Sequence, residues 1–166
     1  MALPVYRRNS FVIISDTFLF VKQNIRIFSD FFGKTSHEVS ILTILKTLCL
    51  FCIGGSGYVG MELLWRSRSH YSMFLAGGIC FLLLGQLQRR FPKWHPLVKG
   101  LAGAMIITAV ELAAGLIFNR GYQVWDYRRM PLQFLGQICL PFTLLWIPVS
   151  LFAMGLYRRT VRSLKW

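Results

Sequence analysis

The sequence predicts an all-α protein: an integral membrane four-helix bundle preceded by an N-terminal amphipathic helix lying in the membrane interface. Three observations lead there. The 166 residues are 55% hydrophobic and only 15% charged, with mean hydropathy +0.51, whereas soluble domains carry about 25% charged residues. The apolar residues gather into runs long enough to cross a bilayer, each followed by a polar or basic break. Ahead of them, one stretch alternates apolar and charged positions with helical rather than continuous periodicity.

Residues 1–9 are short and basic, with Arg7 and Arg8. They show no small-residue cleavage site before an uninterrupted apolar run, so no cleavable signal peptide is expected. In residues 10–32, Phe11, Ile14, Phe18, Val21, Ile25, Phe28 and Phe32 recur at spacings of three and four, a continuous helical stripe. Ser10 can cap its start and Gly33 its end. Asp16, Lys22, Gln23, Asn24, Arg26, Ser29 and Asp30 cover much of the other face and oppose a spanning role. The predicted placement is in the interface, apolar face down. A seam pairing with a partner helix is the alternative, although the stripe is Phe-rich and lacks a zipper's flanking charge pattern. Residues 1–40 thus form a cytoplasmic N-terminal segment.

The membrane domain runs from 41 to 157. Its first predicted span, 41–64, contains Lys46, which can snorkel to the nearer surface, and a smooth face of Gly54, Gly55, Ser56, Gly57 and Gly60. The second, 71–87, is short and carries Ala76, Gly77 and Gly78. A basic loop punctuated by Pro92 and Pro96 follows. The third runs from Val98 to Asn119; about 22 residues at 1.5 Å each give roughly 33 Å, the thickness of the hydrocarbon core. Its Gly100/Ala104 and Ala109/Ala113 pairs offer close-contact faces, as do those of the first span, and leave room for a homo-oligomer. The fourth is expected over 131–156, with Pro131 in its first turn and Pro141 and Pro148 kinking its middle. A basic cytoplasmic tail, 158–166, ends the chain.

Basic residues set the expected orientation. With four spans, the side bearing both termini and the second loop collects Arg7, Arg8, Lys22, Arg26, Lys34, Arg89, Arg90, Lys93, Lys99, Arg158, Arg159, Arg162 and Lys165. The opposite side has only Arg66, Arg68, Arg120, Arg128 and Arg129. Positive-inside logic places both termini in the cytoplasm of a plasma (bacterial inner) membrane. The net charge of +13 is accounted for by these loops and by anionic lipid, and no basic stripe on a soluble module points to nucleic acid.

The acidic residues fall on the sparsely basic side. Glu111 sits about 12 Å below the outer end of the third span. An acid at that depth costs about 2.5–3.5 kcal/mol on insertion scales, so it must face protein or a water-filled cavity. Gln137 is expected about 9 Å into the fourth span, and Glu62 within about one turn of the outer end of the first. The outer loops add Arg66, Arg68, His70, Asn119, Trp125, Asp126 and Tyr127. The expectation is an outward-facing polar pocket lined by Glu62, Glu111 and Gln137, rimmed by Arg66, Arg68, His70 and Asp126, for an ion or small polar solute. The alternative is a set of internal ion pairs that locks the bundle. Trp65, Trp125 and Tyr127 also fit an aromatic belt.

Several chemistries are set aside. No GxxxxGK[ST] loop is present, so the chain is not itself a P-loop ATPase. Cys49 and Cys52 form CxxC, but within an apolar run that offers no electropositive setting to activate a thiol; with Cys80 and Cys139 they read as small hydrophobes. Gly54-Gly55-Ser56-Gly57 fits the GxSG serine motif of rhomboid intramembrane proteases, yet His37, His70 and His95 all lie outside the spans, and a serine nucleophile needs a base in reach. No cofactor or metal is expected.

Residues 57–85 and 103–146 resemble the bacterial "putative ABC-transporter type IV" (CmpB-like) family. The matching elements are Glu62 with Arg66, Glu111 with Gly115 and Asn119, Trp125-Asp126-Tyr127, and Gly136-Gln137-Ile138-Cys139-Leu140. The resemblance covers roughly 44–157; Arg128 departs from the small polar residue that tends to follow the WDY string, and the N-terminal helix lies outside. It implies a permease-like membrane protein working with a separate ATPase subunit. The loop 88–99 carries no EAA-type coupling sequence, and Glu111-Leu112-Ala113-Ala114-Gly115 lies within a span. Two other functional classes stay open: an enzyme acting on a lipid or lipid-linked head group at the outer leaflet, with Glu111, Asp126 and His70 as acid/base or metal groups and Arg66/Arg68 on a phosphate, and a membrane scaffold or regulator using the N-terminal helix.

Overall fold

Residues 41–163, those described by the computed structural model, form four long helices and one small hairpin. Helix α1 spans Ile41–Arg66, α2 Tyr71–Arg90, α3 Pro96–Phe118 and α4 Leu140–Ser163. Between α3 and α4, strands β1 (Gln133–Phe134) and β2 (Ile138–Cys139) pair antiparallel, Gln133 opposite Cys139 and Phe134 opposite Ile138. All four helices are long and apolar enough to cross a membrane. The amphipathic helix expected over 10–32 lies outside the described residues.

Helix boundaries follow local chemistry. Ser67, just past α1, takes a left-handed backbone (φ 54°) and turns the chain, its N–H donating to the Leu63 carbonyl at 2.9 Å. His70 then caps α2, its Nδ1 accepting from the Ser72 N–H at 3.3 Å. His95 caps α3 in the same way through Leu97 N–H, and Pro96 occupies a first-turn position where no donor is needed. The buried Lys99 reaches back from the first turn of α3 to the Pro92 carbonyl at 2.7 Å, closing the α2–α3 loop.

Glycines set the helix crossings. A Cβ at Gly54 would run into Phe81 on α2 and lie 2.9 Å from the Gly77 carbonyl, while one at Gly77 would strike Tyr58 and lie 3.0 Å from the Gly54 carbonyl. The two backbones therefore approach through paired glycines, as small residues allow between membrane helices. A Cβ at Gly103 would lie 2.6 Å from Ser150 of α4, and one at Gly85 would strike Tyr157. Cys80, Leu84, Ala104, Ile107, Trp146 and Met154 form the central core, with Met73, Ala76, Ala114 and Trp125 packed at one end.

The fourth span differs from expectation. It begins at Leu140, not at 131. Residues 131–139 instead make the hairpin, whose turn places Leu135 (φ 52°) and Gly136 (φ 63°) in left-handed conformations and closes with Gln137 N–H on the Phe134 carbonyl at 3.1 Å. Two consecutive positive-φ residues are the mark of a primed hairpin turn, which a helix cannot contain. The first-turn proline is Pro141, and only Pro148 lies inside the helix. Gln137 is consequently a hairpin residue rather than a helix residue.

Candidate functional site

One end of the bundle carries the α1–α2 turn and the long 119–139 segment, and nearly all the unusual polar residues sit there. They fall into three groups. The deepest is centred on Glu111 of α3, which is 6% exposed. Tyr58 of α1 donates its hydroxyl to Oε1 at 3.0 Å, and Trp146 of α4 donates its indole N–H to Oε2 at 2.8 Å. The Tyr58 and Trp146 rings lie 5.9 Å apart, roofing the carboxyl. Three helices thus meet at one acidic group, and both its oxygens are engaged.

The second group is built from the end of α1. Glu62, 8% exposed, faces Arg66 one turn later in an ion pair and accepts from the Ser69 hydroxyl at 2.6 Å. Arg66 also donates to the Val124 carbonyl at 3.0 Å, so the Glu62–Arg66 pair joins α1, the turn and the loop after α3.

The third is an amide hub. The Asn119 carboxamide, 1% exposed, donates to the Trp125 carbonyl at 2.6 Å and to Gln137 Oε1 at 3.0 Å, and its oxygen accepts from Val124 N–H at 2.9 Å. Gln137 returns a bond to the Asn119 carbonyl at 3.1 Å, and the Trp125 indole donates to the Gln137 carbonyl at 2.9 Å. Gly115 leaves the space that the Gln137 side chain fills. Among the described residues, no buried side-chain nitrogen or oxygen lacks a partner.

The remaining predicted residues lie around these groups. Asp126 is exposed and takes a two-point contact from Arg128, at 2.9 and 2.7 Å, plus the Arg128 N–H at 3.0 Å. Those bonds pull its carboxyl down to about 2, and the pairing raises the Arg128 pKa in turn. Arg128 also lies over the Tyr122 ring at 4.3 Å. Tyr127 stacks on Phe142 at 5.0 Å, and its burial pushes its hydroxyl well above the usual tyrosine range. Trp65 is exposed, as a lipid-facing belt residue would be, whereas Trp125 is a buried hub residue rather than a belt residue. Arg66, Arg68, Ser69 and His70 line a cleft of about 320 Å³ with Phe118, Gly121, Gln123 and Val124. Of the expected pocket residues, Arg66, Arg68 and His70 come together at this cleft. Glu62 and Glu111 have separate partners, and Asp126 stands apart with Arg128.

A sequence model of the family described as "putative ABC-transporter type IV" matches residues 48–165. The chain belongs to this family. No curated protein and no solved structure matches it. In this type IV family member the matched stretch takes in α2, α3, α4, most of α1 and all three polar groups. Family membership and four apolar helices make it a multi-pass membrane protein of transporter type.

Sequence reasoning missed Tyr58, Ser69 and Trp146 as partners of the type IV chain's buried acids. Tyr58 lies one helical turn before Glu62, so its face was predictable, but the Tyr58–Glu111 and Trp146–Glu111 bonds join residues 53 and 35 positions apart and left no local mark.

Proposed function

We propose that this protein is a permease-type subunit that works with a separate ATPase, and that Glu111 is the central polar element of an outward-facing site for an ion or small polar solute. The observation that carries the reading is the seating of Glu111, where Tyr58 and Trp146 bring α1 and α4 onto an acid of α3 inside an apolar bundle. A membrane helix has no structural need for an acid at that depth, and such groups mark ion and substrate paths. Because all three elements hold the one carboxyl, a shift of any helix changes its partners, as alternating access requires. The scarcity of basic residues in the loops at this end supports its facing outward.

Contact with the ATPase falls on the opposite end, at the α2–α3 loop. There Trp94 stacks on Phe91 at 4.1 Å, and Lys99 fixes the Pro92 carbonyl. The short, tied loop with an exposed aromatic suits the transmission of motion from a soluble partner. The test is purification of the tagged protein from native membranes, scored for a co-purifying ATPase, with Glu111→Gln and Trp94→Ala beside wild type. An ATPase should accompany wild type and Glu111→Gln but be lost with Trp94→Ala, and Glu111→Gln should fail to complement any growth phenotype that the wild-type gene complements. Absence of an ATPase from wild type, together with full complementation by Glu111→Gln, would overturn the reading.

A further inference from the structure

The cleft between the α1–α2 turn and the loop after α3 has chemistry that the Glu111 site does not use. Its cations are unequal. Arg66 is neutralised by Glu62 and committed to the Val124 carbonyl. Arg68 is exposed, lines the same cleft and has no ion-pair partner among the described residues. The cleft therefore carries one uncompensated positive charge against a fixed, neutralised wall.

Neutral donors surround it. His70 Nδ1 accepts from the Ser72 N–H and lies 2.8 Å from the Ser72 hydroxyl, so in the neutral ring the proton sits on Nε2, which is left as a donor. The Gln123 carboxamide adds donors of its own. Ser69, by contrast, spends its hydroxyl on Glu62. Ser67 takes a left-handed backbone just before them, and Arg68 and His70 line the same cleft. At about 320 Å³ the cleft is near the small end of the range for ligand sites, about 300–1,000 Å³. One wall is apolar: Phe118 lines the cleft, with Tyr71 packed edge-on against it at 5.9 Å, and both belong to the helix ends where a bilayer surface would lie.

We infer that this cleft binds a singly charged phosphate group, that of a phospholipid head group whose acyl chains run down beside Phe118 and Tyr71. Arg68 supplies the charge and a forked pair of donors, His70 and Gln123 supply neutral hydrogen bonds, and the Glu62–Arg66 pair holds the floor rigid without adding net charge. Free phosphate has the same chemistry without the apolar tail. The inference rests on the cleft and stands apart from the reading of Glu111.

The test titrates purified full-length protein, held in an amphipathic polymer, with phosphatidylglycerol or with inorganic phosphate, following bound ligand by native mass spectrometry and calorimetry. Arg68→Gln removes the unpaired charge without breaking a hydrogen bond or ion pair among the described residues, and Arg120→Gln removes an arginine at the same end that does not line the cleft. Saturable phosphatidylglycerol binding, weakened about tenfold or more by Arg68→Gln and little by Arg120→Gln, is the expected result. Gln123→Ala should weaken it by a smaller factor. Saturable binding of inorganic phosphate alone, with the same dependence on Arg68, would keep the phosphate site and overturn the lipid as its source. Equal losses in the two arginine variants, or saturable binding of neither ligand, would overturn the proposal. Neither outcome depends on an ATPase or on Glu111.

Discussion

Glu111 shows how much a single side chain asks of its surroundings. It accepts from Tyr58 and Trp146, one donor per oxygen. In Glu111→Gln the oxygen can keep the Trp146 bond, but the amide nitrogen cannot accept, so the Tyr58 hydroxyl must turn and accept from it, at a cost of up to about 1 kcal/mol. Tyr58→Phe should cost about 1 kcal/mol, and the double variant should depart from the sum because both changes act on the one Tyr58–Glu111 contact. Thermal melts of protein in lipid nanodiscs check both. Asp126 makes the opposite kind of prediction. Its carboxyl is lowered from 3.8 to about 2 by Arg128, so the pair's contribution is complete above the unfolded value and is lost as the pH falls toward about 2. The difference in melting temperature between wild type and Asp126→Asn should therefore be flat from neutral pH to near 4 and close below it; a difference that widens on acidification would refute the assignment.

The helices show which parts of the chain could be read from composition alone. Runs of apolar residues located all four, and the third, expected from Val98, begins two residues earlier at Pro96. The start of α4 was not legible, because Leu132, Phe134, Leu135 and Ile138 are as apolar as a membrane helix. The left-handed backbone at Leu132, Leu135 and Gly136 separates hairpin from helix there, and a glycine by itself does not announce it. Among the polar residues, the sequence placed Glu62, Glu111 and the outer-loop groups at one end, but it could not assign the partners of Glu111, which lie on α1 and α4. The glycine pattern was visible too, yet not its division of labour. Gly54 and Gly77 meet backbone and aromatic atoms, whereas a Cβ at Gly57 or Gly60 would touch nothing among the described residues. Gly54→Ala and Gly77→Ala should each destabilise by about 1–3 kcal/mol through forced separation of α1 and α2. Gly57→Ala and Gly60→Ala should lose nothing and gain up to about 1 kcal/mol from helix propensity.

At the scale of the whole molecule, the helix count and the basic-residue asymmetry together predict sidedness. Single cysteines at Arg68 and Gln123, in a background with Cys49 and Cys52 replaced by Ala, should react with an impermeant maleimide added to intact cells. One at Trp94 should react only after the membrane is opened. Labelling of all three from outside would contradict the proposed orientation. The uneven packing of the four helices has a practical consequence. Helix α1 is the least covered by protein, and it meets α2 through a glycine seam that offers shape but little contact area. Many of its apolar residues, among them Ile41, Leu42, Leu45 and Leu48, are exposed and left for lipid to cover. Detergents that mimic bilayer thickness poorly should therefore release α1 first, and with it Tyr58, so the choice of micelle decides whether a purified sample still presents an intact Glu111 environment.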